Sequence, residues 1–361
     1  MYKIDENSYI RYYSMLTPEY HDFLRRNFEE NFVKLKAMRE NVKWEIEEER
    51  REFLRQLYHL IQNWEGQTHF PLPNLRDIFR REEIDWLLKE EVKNGIRGTF
   101  IDFVIKTGYK DEPDLDEESS PHRTTAVHHS FGQSTYYYSG LVSKLFNIYN
   151  RFDINYTDEL GLTHHHVACK HGLDDIVEKF LEHGQIDPNC LVPETGDSPL
   201  HLALEARSKK SVESLLRVGA DPNSANKEGL TPLHIICKRH DDNVELFEML
   251  FELSDEKYHP VQIDARDELG NTPLHLALNN GPKKIVELLL RRGADTNLAN
   301  KEGLTPLYII CNRHDDNVEL FEMLFELSNI KYQPVKINSQ DKLGKTALHF
   351  QRFSSKTMLT I

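Results

Sequence analysis

The tetrapeptide Thr231-Pro232-Leu233-His234 recurs as Thr272-Pro273-Leu274-His275, and altered versions occur five more times. The seven copies start at Thr125, Thr163, Ser198, Thr231, Thr272, Thr305 and Thr346, at spacings of 38, 35, 33, 41, 33 and 41 residues. Such self-similarity constrains the fold to a stack of small units, because one unit cannot bury its own apolar face alone. A stack offers a long surface rather than an enclosed pocket, which argues for binding before catalysis.

Each unit reads as two short helices. In the unit at Thr272, that residue caps, Pro273 takes the first helical position, and Leu274, Leu276, Ala277 and Leu278 supply apolar surface up to Asn280. Gly281 breaks the helix. Lys283 through Arg292 forms a second one, with Ile285, Val286, Leu288, Leu289 and Leu290 inward, and Gly293 stops it in the left-handed position. A turn at Asn300 to Gly303 follows.

A period of about 33 residues carrying T-P-L-H-x-A resembles the ankyrin repeat, from about Thr124 to the C-terminus. The resemblance implies an all-α solenoid of helix-turn-helix units with short hairpins. An N-terminal helical module precedes it, so the expected divisions are residues 1–110, an acidic linker over 111–122, and repeats over 123–361 with an incomplete last copy. It also implies that the motif Thr and His hydrogen-bond locally, which assigns a structural role to His201, His234, His275 and His349.

The net charge of −14 argues against nucleic acid and anionic membrane surfaces, and mildly favours a basic partner. No apolar run is long enough for a membrane span, and the start lacks the apolar core of a signal peptide. The four cysteines, Cys169, Cys190, Cys237 and Cys311, read as free thiols in a reducing compartment, hence cytoplasm or nucleus.

In the N-terminal module, Thr17-Pro18-Glu19 starts a helix whose apolar stripe runs from Leu24 to Leu60. Unbroken from Pro18 to Asn63, it would be on the order of 70 Å long. A dimerising coiled coil is one reading. Arg39 and Glu49 interrupt the heptad seam, so a helix that folds back on its own module is preferred and a homodimer is not. Leu75 to Asn94 and Thr99 to Thr107 read as further helices, the second resembling part of a degenerate repeat that caps the stack. The acidic stretch Tyr109 to His122 lacks the glycine and terminal acid of a calcium loop and reads as an extended hairpin.

His164-His165-His166 with Cys169 and His171 tempts a metal reading. These residues fill motif slots, His165 replacing the usually buried Leu, and their spacing is not that of a tetrahedral site. His234, Cys237 and His240 tempt likewise, but the copy 74 residues later carries Tyr308 in place of His234. No phosphate loop, dinucleotide motif or catalytic signature occurs, so no catalytic residue, metal or cofactor is expected.

Residues Asn226–Ser254 and Asn300–Ser328 differ only at His234/Tyr308 and Lys238/Asn312, so a two-repeat unit has been copied whole. Either two equivalent surfaces grip one extended partner, or the copy simply has not diverged; the equal retention of buried and exposed positions favours the second. The longer repeats of each pair should carry bulges between and after their helices. The last copy is short, which should leave the apolar side of Val318–Leu327 poorly covered.

The function expected is that of a non-enzymatic scaffold or adaptor binding a protein through the concave face. Candidate contacts are Asn226, Lys227 and Glu228; Arg266, Asp267 and Glu268; Asn300, Lys301 and Glu302; and helix residues Arg207, Lys238, Arg239, Asn279, Asn280, Asn312 and Arg313. A substrate-recruiting subunit of a ubiquitin ligase or other regulatory complex is the alternative, and an enzyme in the N-terminal module a remote one.

Overall fold

A computed structural model describes residues 18–64, 72–95, 98–112, 122–183, 186–241, 243–256, 259–313, 318–330 and 334–350. Among them every regular element is helical, and the chain divides into two compact units at Arg151/Phe152, with residues 121–124 counted in the second.

The first unit holds α1 (Pro18–Glu40), α2 (Glu47–Trp64), a 3-10 turn (Leu75–Asp77), α3 (Arg81–Lys93), α4 (Thr99–Lys106), a 3-10 turn (His128–Ser130) and α5 (Thr135–Ile148). The single long helix expected from the apolar stripe is therefore two helices that pack on one another. The break has a local cause. Glu49 accepts the Lys43 backbone N–H at 2.8 Å, so the first turn of the new helix holds the loop that precedes it. Trp44 fills the corner, its ring 5.7 Å from Phe53, 6.5 Å from Phe79 and 6.3 Å from Trp86. Arg39 pairs with the buried carboxylate of Glu83, its Nε 3.1 Å from Oε2. The two residues that spoil the heptad seam are thus the ones that build the bend.

The helix expected over Leu75–Asn94 is likewise split. Asn74 accepts the Arg76 N–H and caps the 3-10 turn, and α3 starts afresh at Arg81, where Glu83 accepts the Arg80 N–H at 3.0 Å. The helix over Thr99–Lys106 is found as expected. α3 packs on the 128–130 turn and α4 on α5, so α3 and α4 pair with the Thr125 copy as one repeat pairs with the next. Thr125 closes the motif box there, donating its N–H to His128 Nδ1 at 3.0 Å. Residues 113–121, which include most of the acidic stretch, and the tail 351–361 lie outside the described residues.

The second unit repeats one plan. First helices are α6 (His164–Lys170), α8 (Pro199–Glu205), α10 (Pro232–Cys237), α12 (Pro273–Asn280) and α14 (Pro306–Asn312). Second helices are α7 (Asp174–Glu182), α9 (Lys209–Val218), α11 (Val244–Glu256), α13 (Lys283–Arg292) and α15 (Val318–Ile330). First helices pack on first helices and second on second, forming two layers with the core between them. Leu200, Leu233, Leu274 and Leu307 of one layer and Leu215, Leu250, Leu289 and Leu324 of the other are all buried. Burying a leucine side chain contributes roughly 2 kcal/mol, so each added repeat stabilises its neighbour.

The bulges of the longer repeats are partly helical. α11 and α15 have 13 residues each where α9 and α13 have 10, so part of the insertion extends the second helix. The thin cover expected over Val318–Leu327 is not the general case: Leu320, Phe321 and Leu324 of α15 are buried, and the contrast with the twin is confined to Phe325, half-buried where Phe251 of α11 is buried. What covers Phe251 is the Arg292 guanidinium, 4.1 Å from the ring centroid.

Candidate binding surface

The surface is set by the motif itself. In the fully buried copies, Ser198, Thr231 and Thr272 donate their backbone N–H to Nδ1 of His201, His234 and His275 at 3.1–3.2 Å. With Nδ1 accepting, the ring proton sits on Nε2. That nitrogen donates to a carbonyl of the next repeat: His166 to Cys190 at 3.0 Å, His201 to Leu230 at 2.9 Å, His234 to Asn271 at 3.2 Å and His275 to Leu304 at 3.0 Å. Burial lowers the pKa of all four rings and so keeps them neutral. His201, His234 and His275 thus each bond within their own repeat and to a carbonyl of the next. His349 makes the same local contact, Thr346 N–H to Nδ1 at 3.1 Å, on an exposed ring.

The hairpins project from this frame. Asn226, Asp267, Asn300 and Asp341 each accept two backbone N–H groups of their own turn through Oδ1, at 2.7–3.0 Å. Successive tips then bond to each other: Lys227 N–H to Thr195 at 2.9 Å, Glu268 N–H to Glu228 at 2.8 Å, Lys301 N–H to Leu269 at 2.9 Å and Lys342 N–H to Glu302 at 3.1 Å. Gly270 sits at φ +77°, and a Cβ there would lie 2.9 Å from the Lys301 nitrogen, so only glycine permits both turn and neighbour.

These contacts sort the expected binding residues. Lys227, Glu228, Glu268, Lys301 and Glu302 are exposed along the tips, and Lys238, Asn279 and Asn312 are exposed on the first helices. Asn226, Asp267 and Asn300 have their acceptors committed to the turns. Arg266 donates to the Ala299 carbonyl at 2.8 Å. Arg207, at φ 61°, pairs with Asp241 at 2.9 Å, and Arg239 bonds both Asp241 and the Glu205 carbonyl. Burial opposes the Asp241 charge, but the Arg239 hydrogen bond and both arginine charges hold its carboxyl below the usual range. Arg313 holds the Leu278 and Asn279 carbonyls, sealing the C-terminal end of α12. The Asn280 side chain lies outside those described.

A groove of about 500 Å³ opens between α12 and α14. Leu276, Leu304 and Ile309 form its apolar part, and Asn279, Asn312 and Arg313 its polar rim. Tyr308 closes one end and donates its hydroxyl to Asp341 at 2.6 Å. Leu276, Leu304, Tyr308 and Ile309 were not expected as surface residues. The one sequence signal for them was Tyr308, a departure from the duplicated copy.

The triple histidine is also placed. His164, His165 and His166 are buried, His166 closes the Thr163 box, and burial pushes His165 down to about 3. Nε2 of His165 lies 3.7 Å from Cys169 Sγ, while its Nδ1 has no hydrogen-bond partner among the described residues. Burial raises the pKa of Cys169, Cys237, Cys311 and Cys190 alike.

This geometry agrees with a family model for ankyrin repeats, which matches residues 134–226, 206–300 and 280–351. The chain belongs to the ankyrin-repeat family. Among curated relatives, human transient receptor potential cation channel subfamily A member 1 is 28% identical over 42% of this chain and 13% of its own length. E3 ubiquitin-protein ligase KEG of Arabidopsis thaliana is 30% identical over 51% of this chain and 11% of its own. The mouse B-cell lymphoma 3 protein homolog is 30% identical over 42% and 32%. The chain thus spans a third or less of the relatives it matches. Ankyrin repeats bind protein partners and are generally non-enzymatic modules. Among the described residues no helix is long and apolar enough to cross a membrane.

Proposed function

We propose that this protein is a non-enzymatic scaffold or adaptor that holds a protein partner on the concave surface of its second unit. The observation that carries this reading is the division of labour within the motif. The His–carbonyl ties and tip-to-tip hydrogen bonds consume backbone groups and fix the frame. Lys227, Glu228, Lys238, Glu268, Asn279, Lys301, Glu302 and Asn312 are left exposed on that rigid support. A preorganised surface loses little conformational entropy on binding. Crosslinking mass spectrometry on the native complex tests it. Crosslinks from Lys227 and Lys301 to one partner are expected; crosslinks confined to residues outside the second unit would overturn it.

A second reading is favoured by the similarity to a ubiquitin ligase of Arabidopsis. In it the repeats recruit a substrate, and residues 1–110 dock on the ligase or another regulatory complex. A pull-down should then recover ligase subunits only with residues 1–110 present, and recovery of none sinks the idea.

A further inference from the structure

The two halves of the duplication have diverged in one place. Only six of the 29 positions from Asn300 to Ser328 line the groove between α12 and α14, and both differences, Tyr308 and Asn312, are among the six. The groove's other wall, which precedes the near-identical segment, has changed in the same sense. At the 74-residue offset, Asp197 corresponds to Asn271, Glu205 to Asn279, His234 to Tyr308 and Lys238 to Asn312. Between α8 and α10, Lys238 lies within electrostatic range of the Glu205 carboxylate. Between α12 and α14, that carboxylate and ammonium are both replaced by amides. The helical plan is repeated while the chemistry has been exchanged, which undercuts the view that the copy merely lacks time to diverge.

We infer that the groove between α12 and α14 reads an extended, uncharged peptide segment. Asn279 and Asn312 hydrogen-bond its backbone, and one apolar side chain of the segment seats on Leu276 and Ile309. The inference rests on the concave-surface reading proposed above and names the chemistry of the occupant.

Three physical arguments support that occupant. A primary amide offers two donors and one acceptor, so it satisfies a peptide N–H and C=O together. The side-chain amides of Asn279 and Asn312 make no hydrogen bond among the described residues, whereas those of Asn271 and Asn300 are committed to each other at 2.8 Å. A helical occupant has its own backbone groups already paired and would leave those two amides without partners. A cationic occupant would meet no carboxylate in the lining and would face the Arg313 guanidinium, and an anionic one would meet no lysine and only Arg313, whose Nη1 already bonds the Leu278 and Asn279 carbonyls. Burying an unpaired charge there costs far more than burying a neutral segment. The groove volume of about 500 Å³ lies within the range of sites that enclose a few side chains.

The test uses the full chain and a phage-displayed library of random linear dodecapeptides. Enriched peptides should carry a charge-free central stretch around one apolar residue. Asn279→Glu with Asn312→Lys, which rebuilds the twin's charge pair, should weaken them about tenfold or more, and Asn279→Ala with Asn312→Ala should weaken them comparably. N-methylation of the central peptide amides should do the same. Glu213→Gln with Arg217→Gln, which removes an exposed ion pair on α9 away from the groove, should change nothing. Thermal unfolding by circular dichroism confirms that each variant is folded; if the charge pair unfolds the chain, the alanine pair decides. Enriched peptides with a charged consensus, or indifferent to the groove changes or to N-methylation, overturn the inference. If such peptides are instead lost on Lys227→Glu with Lys301→Glu, the concave-surface reading survives and only the groove assignment falls. No enrichment at all also defeats the groove assignment, and leaves the wider reading to the crosslinking experiment.

Discussion

Glu91 accepts the backbone N–H of Phe100 at 2.9 Å, and with its other oxygen that of Ile101 at 2.7 Å, from a fully buried position. It serves as a cap supplied from another helix. The N-cap of α4 is Gly98, which has no side chain to offer its own first turn. Burial pushes the Glu91 carboxyl up to about 7, against the lowering effect of these hydrogen bonds.

A folded-state pKa raised from 4.5 to about 7 means that folding takes up a proton between those values. The contribution is fully present below pH 4.5 and is lost as pH rises through about 7. It is on the order of 3 kcal/mol. Trp44, Trp64 and Trp86 are the chain's three tryptophans and all lie in the first unit, so urea unfolding followed by fluorescence isolates it. Wild type should lose stability relative to Glu91→Gln as pH is raised from 5 to 8. Parallel pH curves for the two proteins would show that Glu91 is not the titrating group.

The second unit should respond with the opposite sign through His165. Its pKa is lowered from 6.5 to about 3 by burial first and the neighbouring His166 second. Its contribution is therefore present above pH 6.5 and is lost as pH falls toward 3. Restoring the apolar residue usual at that slot removes both the titration and the unpartnered Nδ1. His165→Leu should raise the midpoint of thermal unfolding by circular dichroism at pH 5 more than at pH 7.5, with a gain of about 1–3 kcal/mol at neutral pH.

Gly270→Ala should destabilise the second unit by about 1–3 kcal/mol. The residue is at φ +77°, and the new Cβ meets the Lys301 backbone at 2.9 Å. Gly344, at φ +73°, has nothing within 4 Å of a built Cβ, so Gly344→Ala suffers the backbone strain alone. Urea denaturation of the two variants separates strain from clash, and equal effects would refute the clash.

Thiol titration at pH 8 should find the native chain almost inert. Cys169, Cys237 and Cys311 are buried, and burial raises the half-buried Cys190 to about 11, so little thiolate forms. All four thiols should react at once in denaturant. Rapid native reaction of two or more would contradict the packing of the first helices.

Much of this was legible in sequence because its physical basis is local. The proline after each Ser198, Thr231 or Thr272 marks a helix start, Gly293 marks a stop at φ 95°, and the 3.6-residue apolar spacing marks the buried side. The histidine box spans three residues, so its hydrogen bond to Nδ1 followed from the motif. The fold class and the repeat boundaries rested on such short-range features.

Tertiary structure decided what depends on neighbours remote in the chain. An apolar stripe from Leu24 to Leu60 suits one helix or two, and only the corner filled by Trp44 against Phe79 and Trp86 selects two. Arg239, Arg266 and Arg313 read as exposed cations, yet each reaches a backbone carbonyl more than 30 residues away. The repeating motif by itself determined that this chain is a stack and where its units begin. The groove between α12 and α14 exists only after stacking, because helix periodicity says which side chains share a face but not which face they will meet.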